Sequence, residues 1–415
     1  RLKRSPAWVL IGVAGVLGAY LILSFYSVIG GWALAFIADA ASGSFETLTS
    51  DTAGSLFGGL LGDPTTLLAW HSAFMLMVIL VVAGGVAGGL ERAAKILMPL
   101  LAVMLIVLVG YAATTDGFAD AAAWLLTPDF SKLDKDGVLA AMGHAFFTLS
   151  LGMGIMMAYG SYLSDDVNIG RTALVVVVLD TVIALLAGLA IFPVVFSNGL
   201  DAAAGPGLIF QTLPLAFGHM PGGEVFGVVF FVLLVFAAWT SGISLLEPIV
   251  EWLEEKTPMS RVGSAWVAGI ATWLLGIATI LSFNLWSDVA PLGMFAKFEG
   301  MTIFDLLDYA TSKLMLPLTG LATIVFVGWF MNGQRRREEL LADPAELDRL
   351  LAAVDRRAVA DSIPLFLPAV PFGFVRGLAI TDENLVNQQG VVKNEVKVNV
   401  LNQPYGGFPW LDMPQ

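Results

Sequence analysis

Eight apolar stretches dominate the chain, at residues 7–37, 66–85, 93–113, 137–163, 172–196, 225–252, 262–281 and 303–331. Each reaches or exceeds the about 20 residues that an α-helix needs to cross a bilayer. In a bilayer core every backbone N–H and C=O must be satisfied by the protein itself, so stretches of this kind fold as helices. The predicted fold class is an all-α polytopic membrane protein. The first stretch is too long for one upright crossing and must tilt or protrude.

One stretch departs from the rest. Residues 144–162 read HAFFTLSLGMGIMMAYGSY, with Thr148, Ser150, Gly152 and Gly154 close together at its centre and apolar flanks that can be helical. A break at that depth is tolerated only where the freed backbone groups face protein, water or a ligand. The segment is predicted to be a discontinuous transmembrane helix with its two half-ends aimed at a bound solute. The alternative is that the glycines merely let a neighbouring helix pack close.

Composition excludes several classes. Hydrophobic residues make up 57% of the chain and charged residues 13%, which no soluble domain needs. The absence of cysteine excludes disulfides, thiolate metal sites and cysteine nucleophiles. The net charge of −13, with no basic stripe, argues against nucleic-acid binding. No phosphate-binding glycine loop, zinc-protease helix motif or nucleophile elbow occurs in a suitable context, so no enzyme is predicted. His71, His144 and His219 are too dispersed in sequence to suggest a metal site.

The loops alternate in charge. One set holds Arg1, Lys3, Arg4, Arg92, Lys95, Arg171, Lys256, Arg261, Arg335, Arg336 and Arg337, the other only Lys132, Lys135 and Lys297. The positive-inside rule places the first set in the cytoplasm, so both ends of the spanning region are expected there. The external segment 206–223, broken by prolines and glycines, is expected to be a short helical loop folded over the outer face. Residues 1–332 are expected to form the transmembrane core. A charged cytoplasmic helical segment is expected at 333–361 and a poorly ordered tail at 362–415.

Polar residues within the spans are costly and therefore informative. Asp180 stands in LVVVVLDTVIALLAG with no cation in its own stretch. Such a carboxylate holds a proton, faces a cation, or, neutral, bonds to a neighbouring helix. Thr240 and Ser241, in FAAWTSGISLLEP, offer hard oxygen ligands for Na⁺, though small hydroxyl residues also back-bond to their own helix. Tyr26 is a mid-span phenol or simply a packing aromatic. Asp308, near the end of the last span, reads either as a site or as a solvated helix end.

The ordered set AFFTLSLGMG, LDT, FAAWTS, LERAAKILMP and PDFSKL resembles the neurotransmitter:sodium symporter family, in particular its bacterial amino-acid transporters. The resemblance covers about residues 1–332. It implies a partial leucine-transporter-type inverted-repeat fold, with eight transmembrane helices and one of them discontinuous. In that register the first stretch is similar to the family's third helix, and the family's first two helices are not in this sequence.

Carried over position by position, the resemblance implies a substrate site of Ile22, Tyr26, Phe147, Thr148, Ser150, Met153, Ser241 and Leu245. Thr148 and Asp180 would serve a first sodium, and Ala237, Thr240 and Ser241 a second. Asp180 stands where the family has an asparagine, so its carboxylate would supply negative charge that some members take from chloride. Tyr26 and Phe147 would close over the substrate, with Asp308 an outer gate acid and Glu255 an inner one. The implied function is symport of an apolar or aromatic amino acid across the cytoplasmic membrane, with sodium ions as coupling ions and no cofactor. The implied partners are the amino acid, Na⁺ and the lipid bilayer. The rival readings are a proton-coupled permease or channel, and a truncated fragment that transports nothing.

Overall fold

The computed structural model describes residues 8–85, 89, 91–127, 135–161, 169–198 and 205–330. The segments expected at 333–361 and 362–415 lie outside the described residues, as do Arg1, Lys132 and Arg335 to Arg337. No strand occurs among the described residues.

Six continuous helices cross the bundle: α1 (Val9–Ala41), α3 (Pro64–Ala83), α4 (Glu91–Ala112), α8 (Ile169–Ser197), α11 (Gly223–Lys256) and α12 (Arg261–Ser282). A seventh run, Ile303–Gly328, is built from α13 (Ile303–Asp308), a π-helical turn (Tyr309–Met315), α14 (Leu316–Val325) and a second π-helical turn (Phe326–Phe330). All seven are long and apolar enough to span a membrane. The remaining stretch is split into α6 (Lys135–Thr148) and α7 (Ile155–Ser161).

Contacts between helix ends sort the bundle into two faces. At one face Tyr111 at the end of α4 donates to the Pro221 carbonyl before α11 (3.0 Å), and Asn284 after α12 donates to the Leu61 carbonyl before α3 (2.9 Å). At the other, Arg261 at the start of α12 donates to the Val82 carbonyl at the end of α3 (3.1 Å). Trp8, just before α1, packs against Phe326 and Phe330 with ring centroids 5.1 and 4.6 Å apart. The first and last described residues therefore lie at the same face, which requires an even number of passages. With α6 and α7 taken as one interrupted passage, the number is eight.

Two loop regions are more helical than the sequence reading allowed. α2 (Ser50–Gly62) starts from a reciprocal capping box between Thr49 and Thr52. α5 (Phe118–Leu126) lies against α8, where Gly117 is required: a Cβ there would sit 2.5 Å from the Pro193 carbonyl oxygen. The segment expected to fold over the outer face is helical, with α9 (Gly205–Gly207), a π-helical turn at Leu208–Thr212 and α10 (Leu213–His219). It is also more deeply packed than a cover. Phe210 is buried with Trp32, Phe36, Phe57 and Phe231, at ring-centroid distances of 5.0 to 6.1 Å.

α1 runs through the middle of the bundle. Small residues let its neighbours approach, as expected where helices pack without a strong solvent drive. A Cβ on Gly31 would lie 2.9 Å from the His71 nitrogen, and one on Gly276 of α12 would lie 2.5 Å from His71 Nε2. His71 is fully buried, with Nε2 3.2 Å from the Trp273 carbonyl oxygen, while Trp273 Nε1 donates to Ser72 Oγ (2.9 Å). These two bonds hold α3 and α12 together as one layer behind α1.

Candidate functional site

The site begins where α6 ends. Ser150 has φ 56°, the left-handed conformation usually filled by glycine. Its N–H donates to the Phe147 carbonyl (3.0 Å), and the N–H of Leu151 donates to the Phe146 carbonyl (2.8 Å). This pair of bonds is a Schellman termination, which caps a helix and turns the chain away. Gly152 and Gly154 follow with φ 82° and 80°, and α7 begins at Ile155. The break is therefore built into the backbone rather than being a kink.

The glycines also permit close packing. A Cβ on Gly152 would lie 2.4 Å from the Leu316 carbonyl oxygen of α14. A Cβ on Gly154 would lie 3.1 Å from the Gly15 carbonyl carbon of α1. The break and the close approach of neighbouring helices therefore occur together. The helix is interrupted, and the interruption is wedged between α1 and α14.

Thr148, the last residue of α6, is exposed and donates from Oγ1 to Asp180 Oδ1 of α8 at 2.7 Å. On α11 the Ala237 carbonyl accepts from Thr240 Oγ1 (2.9 Å) and from Ser241 Oγ (3.1 Å). Ser241 stands close to the Tyr26 hydroxyl of α1. Ile22, Tyr26, Met153 and Leu245 are buried, and Phe147 is partly buried against the same core. Met153 meets α1 at Gly18, whose Cβ would be 3.9 Å from the Met153 Cα. Buried apolar side chains and the exposed hydroxyls of Thr148 and Ser241 thus occur on the helices that meet around the break.

The two expected gate acids differ from one another. Asp308 is not a solvated helix end: it is 9% exposed, and Ser312 Oγ donates to its Oδ1 at 2.8 Å. Glu255 is exposed on the last turn of α11, 3.9 Å from the ammonium of its neighbour Lys256.

Sequence reasoning missed the charged cluster one turn and more before Glu255. Glu247 is fully buried and lies 2.5 Å from Arg261 Nη2, while Arg261 Nη1 lies 3.2 Å from Glu254. The signal was available, because Glu247 ends the same apolar run that carries Thr240. It also missed two bonds that tie α7 to α11. The Tyr159 hydroxyl lies 2.6 Å from Ser244 Oγ, and Ser161 Oγ lies 2.6 Å from Glu251 Oε1.

Comparison with known proteins identifies the family. The model of the sodium:neurotransmitter symporter family matches residues 62–342. An uncharacterized sodium-dependent transporter of Bacillus subtilis, YhdH, is 39% identical over 82% of this chain and 74% of its own length. One from Haemophilus influenzae is 36% identical over 80% of this chain and 73% of its own. The fold matches the crystal structure of MhsT in complex with L-phenylalanine, with a TM-score of 0.74 and 39% identity over 88% of this chain and 81% of that one. The interrupted helix, its Thr148–Asp180 bond and the hydroxyl pair on α11 therefore sit in a multi-pass, sodium-coupled secondary transporter of a small molecule, not an enzyme, and the chain belongs to the sodium:neurotransmitter symporter family.

Proposed function

We propose that the chain performs sodium-coupled symport of an apolar or aromatic amino acid across the cytoplasmic membrane, by alternating access around the break between α6 and α7. The observation that carries this reading is the placement of hard oxygen atoms. Thr148 and Asp180 meet on one side, and the Ala237 carbonyl with the Thr240 and Ser241 hydroxyls on another. Oxygen donors of this kind suit a hard cation. The first group would serve one sodium and the second another. The Asp180 carboxylate would balance the cation charge locally.

The substrate would lie over Ile22, Tyr26, Met153 and Leu245, its carboxylate against the Tyr26 hydroxyl and its side chain against the apolar ones. Thr148, Ser150 and Ser241 would complete its contacts. Phe147 would close over it. Asp308 would gate the outer side and Glu255 the inner. The solved relative was crystallised with L-phenylalanine, which supports the substrate class. Sodium would favour the substrate-ready form, and substrate would tighten sodium by the same factor. The residue 1–332 core would lie in the lipid bilayer with both its ends in the cytoplasm.

The test is uptake of labelled phenylalanine and leucine into proteoliposomes, driven by an inward sodium gradient. Uptake that requires the gradient supports symport. Uptake that follows a proton gradient and ignores sodium would make Asp180 a proton relay, and absence of any uptake would leave a membrane protein that does not transport.

A further inference from the structure

α7 is a short helix held at one end by the Gly152–Gly154 wedge and tied along its length to α11. The Tyr159 tie has a definite direction. Ser244 Oγ donates to the Thr240 carbonyl at 3.0 Å, which uses its one hydrogen. The Tyr159 hydroxyl, 2.6 Å away, must then be the donor to Ser244. The chain Tyr159 Oη–H to Ser244 Oγ–H to Thr240 C=O ends on the same residue whose hydroxyl meets the Ala237 carbonyl. Two residues further along α7, Ser161 Oγ reaches Glu251 Oε1 at 2.6 Å. Both ties join the half-helix beyond the break to a helix that does not break.

We infer that Tyr159 and Ser244 are positioning residues that couple the docking of α7 on α11 to occupancy of the cation site at Ala237, Thr240 and Ser241. The inference rests on the sodium-symport reading and goes beyond it. A cation drawn to those oxygens fixes the turn of α11 around Thr240. The fixed Thr240 carbonyl orients Ser244, and an oriented Ser244 accepts from Tyr159. With the cation gone the turn relaxes and the tie weakens, so α7 can swing. The Ser161 hydroxyl, whose one hydrogen is shared between Glu251 and the Ala158 carbonyl (2.7 Å), adds a second hold at the end of α7 that does not involve the cation. Glu251 faces Ser161 of α7 and the Glu247, Glu255 and Arg261 charges, and no proton step is required of it.

The chain has no cysteine, so a single probe can be placed on α7. Gly160 is exposed, with no atom within 4 Å of a Cβ there. In membranes, Gly160→Cys should be labelled by a maleimide more slowly in sodium than in potassium. Adding Tyr159→Phe should speed labelling in sodium by about fivefold, the worth of one neutral hydrogen bond. Ser244→Ala should do the same, Ser244→Thr should restore protection, and the Tyr159→Phe/Ser244→Ala pair should add little beyond either alone. A fold defect alone would not be rescued by threonine or saturate in the double variant. Sodium protection that survives Tyr159→Phe unchanged, in a Gly160→Cys protein that still shows sodium-driven uptake, overturns the coupling and leaves the symport reading standing. If neither uptake nor labelling of the Gly160→Cys parent responds to sodium, the symport reading falls and the coupling with it.

Discussion

Thr148 closes α6 and donates a hydrogen bond from its hydroxyl to Asp180 of α8 at 2.7 Å. The bond joins the broken helix to an acid that the sequence leaves without a cation in its own span. A carboxylate that accepts one such bond still has lone pairs for a cation. A negative charge held there would balance a bound cation locally and would remove the need for a mobile anion. Sodium-driven uptake is therefore expected to be unchanged when gluconate replaces chloride. Asp180→Asn should reduce uptake by about tenfold or more, in line with loss of one charge-assisted ligand, and should make the remaining uptake responsive to chloride. Loss of wild-type uptake in gluconate sinks the idea.

The hydroxyl pair on α11 gives a second prediction. Thr240 and Ser241 both point at the Ala237 carbonyl. Replacing both with alanine removes the two hydroxyl oxygens proposed to hold sodium and leaves the α11 backbone ladder intact. The apparent sodium affinity for uptake should fall by about ten- to a hundredfold, from about 1.5–3 kcal/mol lost at a charged partner. Unchanged sodium affinity in a folded double variant would falsify the assignment.

The helical stretches were legible because length and apolarity decide them, and the break was legible because Gly152 and Gly154 cannot be explained as ordinary helix. What escaped was set by tertiary contact. α2 owes its start to a capping box between Thr49 and Thr52, a local signal overlooked among acidic residues. Phe210 packs into an aromatic cluster with partners from α1, α2 and α11, and no single segment announces such a cluster. Glu247 is neutralised by Arg261 on the next helix. Sequence shows only that both exist, while their pairing depends on how α11 and α12 cross. Ser150 is the reverse case: a polar residue read as pocket lining also occupies the left-handed position that ends α6.

The Glu247–Arg261 pair is a buried ion pair, so removing one partner should cost far more than removing both. Glu247→Ala leaves Arg261 with Glu254 and the Val82 carbonyl but without its closest carboxylate. A loss of about 3–5 kcal/mol is expected for such a break. Glu247→Met with Arg261→Met, which fills the space with apolar atoms, should recover much of it. Thermal unfolding in detergent decides the matter, and equal losses for the single and double variants count against the pair.

Asp63 offers a pH prediction outside the spans. It caps α3 by accepting from the Thr65 and Thr66 backbone N–H groups and from the Thr66 hydroxyl (2.6 Å). These bonds, the Thr66 hydroxyl foremost, hold its carboxyl below the usual carboxylate pKa. Since the folded pKa is the lower one, the cap is fully effective above the ordinary carboxylate range and is lost as pH falls through the folded value. Amide exchange at Thr65 and Thr66, corrected for its intrinsic pH dependence, should stay protected near neutral pH and lose protection in acid. Asp63→Ala should show the acid behaviour at every pH, and protection in that variant equal to wild type would remove the cap from the account.

Orientation yields the last prediction. Ser42 follows α1 at the face that holds α10, and Lys256 ends α11 at the face where Arg261 meets Val82. Among the described residues, Arg92, Lys95, Arg171, Lys256 and Arg261 gather at helix ends of the second face, whereas Lys297 lies in the connection at the first. Loops rich in lysine and arginine are retained in the cytoplasm, so the second face is expected inside. Both Ser42 and Lys256 are exposed, and the chain has no native cysteine to interfere. Ser42→Cys should react with an impermeant maleimide added to intact cells, and Lys256→Cys only after the membrane is opened. The opposite pattern reverses the orientation and with it the assignment of Asp308 to the outer gate and Glu255 to the inner. Reaction of both from outside would break the even count of passages that the Trp8 contact with Phe326 and Phe330 requires.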